Sequence, residues 1–322
     1  MAVCFLWRCL RIASGGCCPR SLNTGVPTFL STRLRSSTPL SQERLDLSKQ
    51  KSRTHSPKEE INMAENSNIE WTHHTFNPWI GCTKVSPACD HCYAEVWDNR
   101  FSGERWGPKA ARTRTKTWGK PLSWNKKAGE KGERQRVFCA SLADVFDNHK
   151  SIEAPWREDL WKLIAKTPHL DWLLLTKRPQ NIKRFLPNDW KDGYENVWLG
   201  VSTENREEML RRGKVLSQIP AKTRFWSAEP LLEDLGNIPK QILPDWIIGG
   251  GESGPGFRPA QADWFRNIRD QCQEHDVAFF FKQWSGPSQK EIKAKGRELD
   301  GQVHKDFPKP ATQRQTLATP SF

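Results

Sequence analysis

No Asp or Glu precedes Glu43, and tyrosine and methionine are scarce, with two and three copies in 322 residues. Nowhere does the chain approach the ~18 to 20 consecutive apolar residues that span a bilayer, which excludes a membrane-crossing helix. There is no G-K-[ST] phosphate loop and no second C-x2-C pair, so neither a nucleotide-cradling turn of that kind nor a paired zinc knuckle is encoded. What the chain has instead is tryptophan, 16 copies beside 15 phenylalanines, and nine cysteines. The aromatic content implies a rigid, deeply packed interior, and the length suffices for one large barrel-like domain or two smaller ones.

Residues 1–62 differ in character from the rest. Arg8, Arg11, Arg20, Arg33 and Arg35 are spread among Ser, Leu and Thr without acids, the makeup of an organelle transit peptide. The expectation is a disordered leader directing the protein to the mitochondrial matrix. Translation beginning at Met63, with a cytoplasmic product, is the alternative. The leader holds ten Lys and Arg against four acids, leaving 40 against 33 for the remainder. Four cysteines also fall in the leader, leaving Cys82, Cys89, Cys92, Cys139 and Cys272. An odd count with three crowded together argues against a disulfide framework and for a reducing compartment. Cys139 and Cys272 sit in apolar surroundings and read as small buried hydrophobes.

The densest basic stretch runs from Lys109 to Arg136 and carries Trp118 and Trp124 between its cations. It reads either as a solvated loop or as a nucleic-acid contact that pairs phosphates and stacks bases. Beyond it, short apolar runs at Val137–Leu142, Trp172–Thr176, Val197–Val201, Arg224–Ala228, Trp246–Gly250 and Val277–Phe281 are predicted strands. They are apolar without alternation, as strands buried on both faces are. Helical periodicity separates them at Ile152–Lys166, Glu204–Leu216 and Ala260–Glu274, with shorter proline-led helices expected at Pro179–Leu186 and Pro230–Leu235. Strand and helix in alternation specify an α/β fold with a parallel sheet, open or closed into a partial or complete (β/α) barrel. This domain is expected over residues 63–295, followed by a polar tail over residues 296–322.

In such folds the reactive face lies at the carboxyl ends of the strands, and here each run ends in polar groups. These are Ser141 and Asp144; Lys177 and Arg178; Ser202 and Glu204; Ser227 and Glu229; Gly250, Gly251, Glu252 and Ser253 with Arg258; and Lys282 with Gln283. Three consecutive glycines let a backbone approach a ligand closely, although Gly249–Gly254 lacks the strand-to-helix context of a dinucleotide turn. Lys177 suits a carboxylate or phosphate, and Glu252 suits an amine or a ribose hydroxyl. Lys177 and Glu229 are the candidate catalytic groups.

Cys82, Cys89 and Cys92 form a C-x6-C-x2-C cluster in a loop rich in Asp, Lys and Pro. Three thiolates suit a centre with one open metal position, such as a 4Fe-4S cluster. A structural zinc site, completed by His91, His73 or His74, is a second solution. A zinc hydrolase with Glu229 or Glu252 as base, and a metal-stabilised nucleic-acid-binding protein, are the corresponding functions.

The segment Asn68–Glu95 around these cysteines, together with Leu174–Pro179, Trp198–Ser202, Ser227–Leu232 and Gly249–Gly254, resembles the phage-associated three-cysteine-motif proteins. Those proteins are themselves similar to radical S-adenosylmethionine enzymes. The resemblance implies a partial (β/α) barrel with the cluster loop after its first strand. It further implies that Cys82, Cys89 and Cys92 ligate three irons of a 4Fe-4S cluster and that S-adenosylmethionine occupies the fourth. His91 or Tyr93 would then lie near the adenine, and Glu252 or Glu229 near the ribose or the methionine amine. Reductive cleavage to a 5′-deoxyadenosyl radical, an electron donor and, as for some bacterial relatives, a methyltransferase-like partner protein are implied with it. The first gap of six residues is longer than the three common in that superfamily.

Overall fold

Every long apolar run in the sequence becomes a parallel strand of one sheet. The computed structural model describes residue 65, residues 67–101 and residues 103–309; the leader expected over residues 1–62 lies outside them. The elements are, in order, β1 (His74–Thr75), β2 (Trp79–Ile80), α1 (Tyr93–Arg100), β3 (Thr113–Arg114), α2 (Lys120–Lys131), β4 (Gln135–Cys139), α3 (Ala154–Ala165) and β5 (Leu170–Thr176). They continue as α4 (Ile182–Phe185), β6 (Val197–Ser202), α5 (Arg206–Ser217), β7 (Thr223–Ala228), β8 (Trp246–Gly250), α6 (Ala262–Glu274), β9 (Ala278–Gln283), α7 (Gln289–Ala294), β10 (Glu298–Leu299) and β11 (Gln302–Val303).

Seven strands form the main sheet in the order β1-β4-β5-β6-β7-β8-β9, all parallel. Because this order follows the chain, right-handed crossovers put every connecting helix on the same side. That outer face packs Val137, Cys139, Trp172, Leu174, Val201, Trp226 and Ile247 against Leu160, Ile164, Leu216, Phe265 and Ile268 of the helices. The inner face has no helices to cover it and buries its side chains against itself. Phe138, Leu173, Phe225, Trp246, Ile248 and Phe280 form a second cluster with Trp71.

The packing of Trp71 requires the sheet to curl. Its ring lies 4.7 Å from Phe138 on β4 and 6.3 Å from Trp246 on β8. Four strand spacings in a flat sheet would separate those strands by ~19 Å. β1 and β9 do not pair, so the α/β fold is a partial (β/α) barrel, open along one seam, with the cysteine loop following its first strand.

Residues 298–309, part of the segment read as a polar tail, close the other end of this barrel. Asp300 and Gly301, both at positive φ, form the tight turn of the β10–β11 hairpin. The Asp300 carboxylate accepts hydrogen bonds from Arg266 and Arg269 of α6. The chain then runs antiparallel to β9, pairing Lys305 with Phe280, which covers the sheet edge. Phe307 ends beneath the interior, 5.2 Å from Trp246 and 5.7 Å from Phe280, with Arg136 stacked on it at 3.8 Å.

Two expectations change. Pro230–Leu235 is not helical, because its amides have outside partners: Leu231 donates to the Gly250 carbonyl and Leu232 to that of Glu204. The basic stretch is not a loop but contains α2, whose Trp124 is 1% exposed and stacked on His74 at 4.3 Å. Trp118 is taken up by Phe76 and by Arg114, 4.1 Å above its ring. Neither indole is presented for base stacking. Cys139 and Cys272 are buried as expected, and burial pushes both thiols well above their ordinary range. Among the described residues, no helix is long and apolar enough to cross a membrane.

Candidate active site

At the carboxyl ends of the strands the curled sheet leaves a cavity of about 730 Å³. All three clustered cysteines line it, as do Tyr93, Ser141, Asp144, Lys177, Arg178, Ser202, Ser227, Glu229, Ser253 and Lys282. The strand periodicity explains the convergence: residues at even spacing from Leu173, Phe225 and Phe280 share their inward direction, so Lys177, Ser227, Glu229 and Lys282 continue the inner face above the apolar core.

A polar belt crosses the cavity floor. The Lys177 ammonium donates to Ser202 Oγ at 3.1 Å, and Ser202 stands beside Ser227 in the β6–β7 register. Ser227 Oγ donates to Glu229 Oε2 at 3.1 Å, and the Lys282 ammonium lies 3.0 Å from Glu229 Oε1. Over it Tyr93, 58% exposed, donates its hydroxyl to the Ser141 carbonyl at 2.8 Å.

The cysteine loop is tied to the barrel by two arginine forks. Arg178, 6% exposed, donates to Asp144 Oδ2 at 2.9 Å, to the Thr83 carbonyl at 2.7 Å and to Cys82 Sγ at 3.6 Å. Burial works to lower its pKa, but Asp144, Cys82 and Asp147 outweigh this and hold it above the ordinary value. Arg112, with a fully buried side chain, spends its donors on Asp147, on Thr83 Oγ1 and on the carbonyls of Arg105, Gly107 and Ala110. Composition assigned it to a solvated basic stretch; nothing in a lone arginine among cations signals that it is buried. Asn77 also orders this region by accepting from the Leu142 amide at 2.7 Å, a contact across 65 residues that no local spacing signals.

The glycine-rich tip holds the loop from its other side. Glu252, 5% exposed, accepts from the Arg258 amide at 2.7 Å and its Nε at 2.9 Å, and lies 3.2 Å from His91 Nδ1. Burial would raise its pKa, but Arg258 and His91 keep it lowered and ionised. Arg258 also donates to the Pro87 carbonyl and to Asp90.

Six of the sequence-selected residues therefore lie off the cavity wall. His91, Glu252 and Arg258 are engaged with one another in clamping the loop. A side chain at Gly251 would meet the Ser285 backbone nitrogen at 2.2 Å, and one at Gly250 would meet Glu229 at 2.9 Å, so both positions are packed too closely for a Cβ. Glu204 is the clearest correction, since it and Arg212 are fully buried and paired at 2.7 Å. Burial raises its pKa, while Arg212 and Lys177 overcome that and hold it lowered.

Cys82, Cys89 and Cys92 are free thiols. Around one zinc at ~2.3 Å per bond, thiolates stand within about 4.6 Å of each other. Among the described residues no group of three His, Cys, Asp or Glu side chains is gathered for one ion. Cys82, Cys89 and Cys92 share one cavity wall. The histidines considered for zinc are engaged elsewhere: His73 accepts from the Arg136 amide at 2.8 Å, and His74 lies 2.8 Å from Gln135 Oε1. Burial, with Asp144 acting in the same sense and Arg178 against it, pushes the Cys82 thiol up to about 11. Any metal bound there would have to displace that proton.

No curated protein matches the chain. Among solved structures it is similar to a spore photoproduct lyase double mutant with bound AdoMet and dinucleoside spore photoproduct, at 12% identity and TM-score 0.41, over 75% of this chain and 65% of that one. It is also similar to a tyrosine-to-phenylalanine mutant of spore photoproduct lyase, at 11% identity and TM-score 0.41, over 80% and 74% of the two chains. The chain thus spans slightly less than two thirds of the first of these. Residues 66–308, the whole barrel with its cysteine loop and closing hairpin, match the family described as "Protein of unknown function (DUF5131)", and the chain belongs to that family.

Proposed function

We propose that this protein is an iron–sulfur enzyme of the radical S-adenosylmethionine type, with cofactor and substrate sharing the 730 Å³ cavity. The observation that carries the proposal is the position of the three thiols: they border the same cavity that gathers Lys177, Ser202, Ser227, Glu229 and Lys282 at the strand ends. The sequence resemblance to three-cysteine-motif proteins points the same way. When bound, a reduced 4Fe-4S cluster with S-adenosylmethionine supplies methionine and a 5′-deoxyadenosyl radical that takes hydrogen from a substrate.

Cys82, Cys89 and Cys92 hold the cluster in this reading, and the Arg258–Glu252–His91 clamp sets the loop that carries them. Lys177, anchored by Ser202, presents a cation to a carboxylate or phosphate. Glu229, held between Ser227 and Lys282, accepts an ammonium or a hydroxyl. Ser141 and Ser253 add uncharged polar contacts, and the Tyr93 ring screens the mouth from water. The electron comes from a separate donor.

The test is anaerobic reconstitution of the full chain with iron and sulfide. About four irons per chain, a broad thiolate-to-iron absorption lost on reduction, and release of 5′-deoxyadenosine are expected. Cys89→Ala should abolish nucleoside release. One tightly held zinc without that absorption, or a loaded and reduced chain that leaves S-adenosylmethionine intact, refutes the proposal.

A further inference from the structure

We infer that Arg178 is a positioning residue for the proposed iron–sulfur centre, setting how readily it accepts an electron; this rests on the function proposed above. Its frame is independent of the sulfur. Asp144, which holds the guanidinium at 2.9 Å, is itself fixed by Thr176 Oγ1 at 2.7 Å and by the Lys177 amide at 3.1 Å. Asp144 and the Thr83 carbonyl satisfy the fork, yet one N–H also points at Cys82 Sγ from 3.6 Å. Arg112 supplies the contrast: it holds the same loop, and its hydrogen bonds all go to oxygen.

A fixed cation donating to a ligand sulfur stabilises the more negative, reduced form of a cluster, because hydrogen bonds to the sulfurs and local charge set its potential. The step is a one-electron reduction by a low-potential donor, represented in the test by dithionite, with no bond broken in the protein.

The full-length chain, Arg178→Gln and Arg178→Lys are reconstituted, assayed for iron and titrated with dithionite while absorption and electron paramagnetic resonance report the reduced fraction. Iron content is measured for each protein, and the ratios are compared in the loaded fraction alone. At a fixed potential the reduced-to-oxidised ratio should fall about tenfold in Arg178→Gln, which is ~59 mV for one electron. In Arg178→Lys, which keeps the charge but lacks the planar fork, it should fall about threefold. A purely structural arginine would leave that ratio unchanged in loaded protein. A loaded Arg178→Gln that titrates like the unaltered chain overturns the inference. If that variant does not fold with Asp144 unpaired, an unchanged titration of Arg178→Lys overturns it instead. An unaltered chain that takes up no iron removes the proposed function and this inference together, whereas a loaded chain with unshifted variants removes this inference alone.

Discussion

His73 accepts a hydrogen bond through Nδ1 from the backbone of Arg136, which only the neutral ring can do. Burial first, then Arg136 and His74, lower its pKa from 6.5 to about 4. Since the folded value lies below the unfolded one, the unfolded chain binds more protons between them. Stability is therefore whole above pH 6.5 and declines as pH falls toward 4, by roughly 3 kcal/mol at most from this ring. Urea midpoints taken across that window should drop with pH, and His73→Gln, whose amide oxygen can replace the acceptor, should flatten the slope. Residues of this kind were poorly legible in the sequence. His73 looked like a spare zinc ligand and Glu204 like a cofactor contact, because the partners that occupy them, Arg136 and Arg212, are fixed by folding rather than by spacing. Cys82, Cys89 and Cys92 stand out in the sequence because crowded thiols in a polar loop have few other uses, and folding brings them to one cavity.

At the scale of the element, the strands were read almost to their ends. Six buried runs need apolar side chains on both faces, and that leaves a continuous mark in the sequence. β1 was invisible, being two residues long, and α2 was hidden by a cationic outer surface that masks one buried tryptophan. The triple glycine shows how one signal admits two structures. It was read as a ligand cradle, whereas Gly251 faces the turn after β9 so closely that Gly251→Ala must move the Ser285 backbone. That substitution should cost about 1–3 kcal/mol in a urea titration. Gly119→Ala, at a helical φ of −78° and with open space around it, should stay within about 0.5 kcal/mol.

At the scale of the whole molecule, the barrel is finished at both ends by segments that are not strands of its sheet. The cysteine loop covers the carboxyl end, and the chain around Phe307 covers the other. Phe307→Ala should remove about 2–3 kcal/mol, somewhat less than a fully enclosed phenylalanine, and should redden the emission of Trp246. An unshifted unfolding midpoint would show that the interior closes without it. Curvature itself was only partly foreseeable: alternation of strand and helix specifies the parallel sheet, but the closing contact between Trp71 and the two sides of the barrel joins residues 175 positions apart.

That arrangement bears on biosynthesis. A ribosome delivers the chain in order, so β4 to β9 can pair, neighbour on neighbour, as each emerges, while Trp246 and Phe280 face an uncovered opening until residue 307 clears the exit tunnel. For that interval the nascent protein presents aromatic surface to chaperones, and a chain cut anywhere between residues 284 and 306 would have its sheet paired and its base unsealed.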